Sequence, residues 1–244
     1  MSKRLKIFQA NFDAKANAYK GYYQKPVNIF QNGKRHRVEI LREYVRASRP
    51  TSILDIGCGP GIVLEEIRKV SRAKRSFGID FSWAMLCHAN EVHLLNGNFV
   101  QASAENLPFS DGIFEFAYAL GVIGYVFSPP VFIREVQRIL KPEGIFAFTC
   151  PNGDSFSRKL RDFVLRHSSD QGLLWARRLP SQNVKRWLIR SGFKLVKCHF
   201  IIYGNGIIHF PWSIPLSSIM ERIISRTKLS QYLAWSGLWI VKKI

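Results

Sequence analysis

Acidic residues are in short supply in this chain. Across 244 residues, 17 Asp and Glu stand against 36 Lys and Arg, a formal net charge of +19. The shortage is uneven. Residues 1–50 hold 12 basic and 3 acidic side chains, 150–200 hold 11 and 3, and 201–244 hold 5 and 1, whereas 51–149 hold 8 and 10. A nearly neutral middle between basic flanks points to a core with additions that face something anionic. Cysteine is sparse as well. Cys58, Cys87, Cys150 and Cys198 are too widely spaced for a zinc pattern or a disulfide framework, so free thiols in a reducing cytoplasm are expected. Lys3, Arg4 and Lys6 are followed by Gln9, Asn11 and Asp13 rather than an apolar stretch, so no signal peptide is expected. Charge is missing altogether from residues 198–220, but Gly204, Asn205, Gly206, Pro211 and Pro215 argue against a spanning helix there. Repeats and low-complexity tracts are absent.

What is present reads as alternating strand and helix. Residues 1–48 have helical texture, in two pieces, Gln9–Tyr23 and Lys34–Arg46, parted by Pro26 and Gly33. From residue 51 short apolar runs alternate with amphipathic ones. Strands are expected at Thr51–Ile56, Arg75–Asp80, Asn98–Ala102, Phe114–Leu120 and Ile145–Cys150. Helices are expected at Ile62–Val70, at Ser82–Leu94 with Ser82 as N-cap, and at Pro130–Leu140. Basic helices at Ser155–His167 and Gln182–Ser191 follow, then strands at Phe193–Tyr203 and Leu233–Val241. This alternation predicts an α/β fold with a mostly parallel sheet covered on both faces. One domain is expected over 1–244: a helical cap (1–50), a ligand-binding core (51–152), and a substrate-side region with the last strand pair (153–244).

The chemistry concentrates at strand ends. Asp55-Ile56 closes the first strand, and Gly57-Cys58-Gly59-Pro60-Gly61 turns into a helix. Glycines there allow positive φ and close approach of a ligand to the backbone, and the helix start offers free N–H groups. Asp80 ends the second strand, about 20 residues on, where an acid holds ribose hydroxyls. Ala104-Glu105 follows the third. A dinucleotide site wants Gly-x-Gly-x-x-Gly, but here the third glycine comes one residue early and an acid precedes the loop. That aspartate would repel a pyrophosphate and suit a ligand with a cationic amino-acid end, such as S-adenosylmethionine (SAM).

The run ILDIGCGPG resembles motif I of the class I SAM-dependent methyltransferases. FGIDFSWAML (77–86), NFVQASAENLPFSDGIFEFAYALGVIGYV (98–126) and REVQRILKPEGIFAFTCPN (134–152) resemble their later motifs, so the resemblance covers about residues 50–152. It is nearest to the methyltransferase type 11 group, which is similar to the ubiquinone and menaquinone biosynthesis methyltransferases; NFDAKANAYK (11–20) resembles that group's N-terminal signature. The resemblance implies a Rossmann-like, seven-stranded sheet and SAM as cofactor. It implies that Asp55, Gly57, Gly59 and Gly61 hold the amino-acid end, that Asp80 binds the ribose and that Phe81 packs on the adenine. Ala104 and Glu105 would line the adenine pocket, Leu120 and Gly121 would lie under the sulfonium, and Tyr19 would close over the cofactor. Three positions depart from the family's pattern. Ser103 replaces a frequent aspartate, Tyr125 replaces a histidine, which puts histidine-based proton chemistry in doubt, and Glu143 replaces a turn glycine.

The acceptor must then be chosen by residues outside 51–152. His88 and His93 do not share a helix face, so no metal pair is expected, and no catalytic base is assigned. Cations at Arg158, Lys159, Arg161 and Arg166, and the apolar run through Phe210, Pro211 and Trp212, favour a small-molecule or lipid-like acceptor and peripheral docking on the inner face of an anionic membrane. Solvated charge and a buried cap are the competing explanations of the same residues. A nucleic-acid methyltransferase ranks below, because Gly121-Val122-Ile123-Gly124-Tyr125 stands where an Asn-Pro-Pro-Tyr-like motif would be. A non-catalytic SAM-binding protein is the third alternative.

Overall fold

A computed structural model describes residues 9–10, 12–14, 29–92, 98–156, 159, 176–201, 232 and 234–244. In chain order the elements are α1 (Ile29–Ser48), β1 (Ser52–Ile56), α2 (Ile62–Val70), β2 (Arg75–Asp80), α3 (Trp83–Val92), β3 (Phe99–Gln101), β4 (Phe114–Ala119), α4 (Pro129–Ile139), β5 (Leu140–Pro151), α5 (Ser181–Arg190), β6 (Phe193–Ile201) and β7 (Ser236–Lys243). The strands form one seven-stranded sheet in the order β3-β2-β1-β4-β5-β7-β6. β1 to β5 pair in parallel, and β7 runs antiparallel between β5 and β6. This is the Rossmann-like methyltransferase sheet that the motif pattern implied.

β1 is short and buried along its whole length because Ile53, Leu54 and Ile56 must pack on both faces at once. On one face Val38, Leu41 and Val45 of α1 and Val63, Leu64 and Ile67 of α2 cover Ile53, Phe116 and Ile240. On the other, Phe132, Ile133 and Val136 of α4 and Val184 and Leu188 of α5 cover Leu54, Phe146, Phe148 and Trp239. The aromatic column in that second layer is continuous: Phe146 and Phe148 stack at 4.8 Å, and Phe148 and Trp239 at 6.2 Å.

Two expectations are corrected. Gly33 does not part the N-terminal helices, since α1 runs through it from Ile29. A glycine inside a helix costs about 1 kcal/mol, less than the burial of the apolar stripe further along α1 returns. The fifth strand also starts earlier than expected. Leu140 already pairs with Phe114, and after a register shift Ile145 pairs with Phe116. The extra residues form a bulge within the strand, in which Glu143 sits at φ 65°, the left-handed region where a glycine would be relaxed. Gln9–Tyr23 and Ser155–His167 fall largely outside the described residues, although residues 9–10 and 12–14 are helical.

The sheet order reverses between β1 and β4, which opens a crevice beyond the carboxyl ends of these strands. Everything singled out at strand ends in the sequence lies along this edge.

Candidate active site

The glycine loop needs all three of its glycines. Gly57, Gly59 and Gly61 have φ of 72°, 53° and 74°, alternating with ordinary residues. Side chains at such positions are strained, which explains why the third glycine comes early: positive φ recurs at every second residue up to the start of α2. A Cβ on Gly57 would lie 2.4 Å from Cγ2 of Val122. The amides of Gly57 and Cys58 donate to the carbonyl of Ile79 at 2.7 and 2.9 Å, fastening the loop to the end of β2.

Two buried carboxyls flank this loop. Asp55 is 3% exposed, and burial together with the nearby Asp80 pushes its pKa up to about 8, against the lowering influence of the Tyr118 side chain. Asp80 is pushed up to about 6 by burial, opposed by backbone hydrogen bonds. Its Oδ2 accepts from the Gly59 amide and its Oδ1 from the Ser82 amide, both at 2.9 Å. Each oxygen retains a second lone pair for a ligand hydroxyl. Among the described residues no Lys or Arg offsets either carboxyl. Asp55, Gly57, Gly59 and Leu120 line one concavity with Cys58, Pro60, Ile62 and Val63. A buried carboxyl with no cation of its own, beside backbone held in glycine conformations, fits a ligand that brings a cation and hydroxyls.

The remaining positions divide. Phe81 lies at the edge of the same crevice, with Phe12 edge-on at 5.5 Å, and Phe12 in turn meets Tyr125 at 5.4 Å. Ser82 donates to Asp13 and accepts from the Met85 amide at 3.2 Å, so it both caps α3 and ties residues 12–13 to the site. Glu105 is engaged elsewhere: its carboxylate accepts from the amides of Phe127 (2.8 Å) and Ser128 (2.7 Å) at the start of α4. Ala104 is half-buried against the core. Gly121, at φ 81, donates its amide to Thr149 Oγ1 at 2.7 Å, which fixes the turn after β4 to β5. Tyr19 lies outside the described residues, as do Phe210 and Trp212.

Three residues escaped sequence reasoning. Phe12 and Asp13 reach the site through a tertiary contact that no spacing reveals. Gly78 carried a legible signal, a glycine inside a strand. A Cβ there would meet Phe99 at 2.7 Å and Cys58 Sγ at 2.9 Å, so the glycine lets the loop lie against β2.

Comparison with known proteins agrees with this fold. Residues 54–148 match the family model described as "Methyltransferase domain", type 11. The malonyl-[acyl-carrier protein] O-methyltransferase of Legionella pneumophila is 32% identical over 109 residues, 44% of this chain and 38% of that one. Cycloartenol-C-24-methyltransferase 1 of Oryza sativa is 33% identical over 100 residues, 39% of this chain and 29% of that one. The chain thus spans less than two thirds of the length of the curated relatives it matches. The solved structure of magnesium protoporphyrin IX methyltransferase from Synechocystis PCC 6803 with bound SAH superposes with a TM-score of 0.70 at 14% identity, covering 98% of this chain and 99% of that one. Fold and glycine loop together define a class I SAM-dependent methyltransferase domain. Within that class, residues 54–148 match the methyltransferase type 11 domain.

Proposed function

We propose that the chain transfers a methyl group from SAM to an O, N or C nucleophile of a small-molecule or lipid-like acceptor that enters at the carboxyl edge of the sheet. The buried Asp55 and Asp80 beside the three-glycine loop carry this reading, because they present negative charge and open backbone to a ligand and find no cation within the described part of the chain. In this assignment Asp55, with the backbone of Gly57, Gly59 and Gly61, holds the amino-acid end of SAM. Asp80 accepts from the ribose hydroxyls, Phe81 packs on the adenine, and Ala104 and Glu105 border the adenine through their backbone. Leu120 and Gly121 lie beneath the sulfonium, and Tyr19 covers the cofactor. SAM, when bound, supplies an already activated methyl group. The protein's part is to orient the acceptor in line with it and to exclude water, and a general base is needed only if the acceptor's pKa demands one. The relatives named above methylate an acyl-carrier-linked malonyl group at oxygen and a sterol at carbon. That diversity suits a site whose chemistry is alignment, and it leaves acceptor choice to residues 1–50 and 153–232.

Titration calorimetry with SAM tests the pocket: Asp80→Ala is expected to weaken binding at least about tenfold, the loss of one or two charge-assisted hydrogen bonds. Unchanged affinity would refute the assignment. Incubation with labelled SAM and separated lipid, metabolite and RNA fractions then identifies the acceptor, and label appearing in RNA alone would overturn the small-molecule reading.

A further inference from the structure

Among the described residues four large aliphatic side chains stay strongly exposed, and they gather in one place. Ile189 (72%) lies near the end of α5, Leu195 (40%) and Val196 (53%) near the start of β6, and Ile244 (77%) just after β7. The Ile244 amide donates to the Gly192 carbonyl at 2.9 Å, which sets residue 244 beside the turn that joins α5 to β6. β6 is the last strand of the sheet, and Lys194, Leu195, Val196 and Lys197 are exposed in succession. Successive strand residues point to opposite faces, so this part of β6 is bare on both. Single exposed aliphatics are ordinary, but a group gathered on one edge marks an interaction surface.

The same stretch carries cations and no acid. Residues 176–201 and 234–244 hold nine Lys and Arg and no Asp or Glu. Arg177 donates to the carbonyls of Val126 and Phe127, Lys242 pairs with Glu143, and Lys243 donates to the carbonyls of Gln137 and Leu140. Lys185, Arg186, Arg190, Lys194 and Lys197 are exposed and enter no ion pair among the described residues. Lys185 and Arg186 share the outer face of α5 with Ile189, four and three residues on, while Val184 and Leu188 turn into the core. Lys185 lies near enough to Cys198 to act on its thiol, so the basic face continues from α5 onto β6.

We propose that the α5–β6 face docks on a bilayer that carries anionic lipids. Ile189, Leu195, Val196 and Ile244 enter the headgroup boundary, and the five cations around them meet the lipid charge while their stems lie along apolar surface. An added β-strand suits this edge poorly, because the register shift between Leu195 and Lys197 and the two lysines interrupt the ladder it would need. A second copy would bring the same positive face and be repelled. Nucleic acid would use the cations and leave the four aliphatics without a partner. β6 lies four strand positions from β1, roughly 19 Å at the usual strand spacing. Docking here therefore leaves the glycine loop untouched and stands apart from the choice of acceptor.

Flotation of the full chain with vesicles of phosphatidylcholine alone, or of phosphatidylcholine with phosphatidylglycerol, tests it, with SAM affinity and melting curves measured on the same samples. Wild type is expected to float with the anionic vesicles and to be released as salt rises. The Arg186→Glu, Arg190→Glu variant is expected to lose about 25-fold or more in vesicle affinity, roughly fivefold for each cation removed. The Ile189→Ser, Val196→Ser variant is expected to lose about tenfold. An Arg46→Glu, Arg72→Glu variant makes the same change in net charge at the ends of α1 and α2, and should float like wild type. Wild-type SAM affinity in all three verifies that they fold. The proposal is overturned if wild type ignores anionic vesicles, if the α5 charge variant floats unchanged, if the Arg46 and Arg72 control loses as much, if the aliphatic variant floats unchanged, or if single-stranded RNA strips the protein from vesicles and binds it more tightly. SAM binding without flotation defeats only the docking; flotation without SAM binding defeats only the methyltransferase reading.

Discussion

Gly57 has less room for a side chain than Gly59 two residues on. Its φ of 72° and the 2.4 Å approach of Val122 to a would-be Cβ mean that even alanine must shift the backbone or the valine. Gly57→Ala is expected to lower stability by about 1–3 kcal/mol and to weaken SAM binding. Urea unfolding and calorimetry on one preparation read both, and an unperturbed variant would contradict the loop geometry. The acid pair has a pH signature. Because burial raises Asp55 to about 8 and Asp80 to about 6, the ligand-free fold retains protons that the unfolded chain releases near pH 4. Its stability therefore declines as pH rises from about 4 towards 6 and then 8, as each carboxyl is forced to ionise without a cation. A cationic ligand prefers both carboxyls ionised, so SAM affinity is expected to rise between pH 5.5 and 7.5, by at most about tenfold per pH unit for each proton released. Affinity that is flat across that range would show that the acids do not face the ligand's charge.

At the scale of elements, connections carry as much of the site as strands do. Glu105, from the loop after β3, holds the two amides at the start of α4, where Ser128 makes no capping bond with its own side chain. Glu105→Ala is expected to cost about 1–2 kcal/mol, and a drop in Tm of roughly 2–4 °C per kcal/mol follows for a chain of this size. Glu105→Gln, with one acceptor oxygen left, should recover part of it. A thermal melt that does not move would reduce this contact to a surface detail. Elsewhere Arg138 of α4 clasps the loop between β3 and β4 through the carbonyls of Leu107 and Phe109 and the carboxylate of Asp111. On the opposite face Tyr44 of α1 meets His199 of β6 at 3.1 Å, and burial holds that histidine down at about 4, neutral at physiological pH.

For the whole molecule, the last two strands complete the core although they lie far along the chain from it. β7 enters between β5 and β6, and its Trp239 stacks on Phe148. We propose that residues 51–152 are part of a single domain and cannot stand without the final strand pair. A chain ending at residue 152 would leave β5 as a bare edge with Phe146 and Phe148 uncovered, and is expected to aggregate or to lack a cooperative melt. A soluble truncation with a sharp transition would show that the core is autonomous. No helix among the described residues is long and apolar enough to cross a membrane.

Local pattern alone determined the bounds of α2 and β2 to the residue, the alternation that makes the sheet parallel, and the glycine loop flanked by Asp55 and Asp80. These features are legible because apolar periodicity and positive φ are properties of neighbouring residues. Contacts distant in sequence decided the rest. That α1 continues through Gly33 depends on packing against α2 and the sheet, which outweighs a local helix penalty. That Glu105 spends its carboxylate on α4, while Phe12 and Asp13 reach Phe81 and Ser82, depends on which loops the sheet order brings side by side. Even the raised pKa values of Asp55 and Asp80 come from burial, which exists only once the two strands that carry them lie adjacent in a closed core.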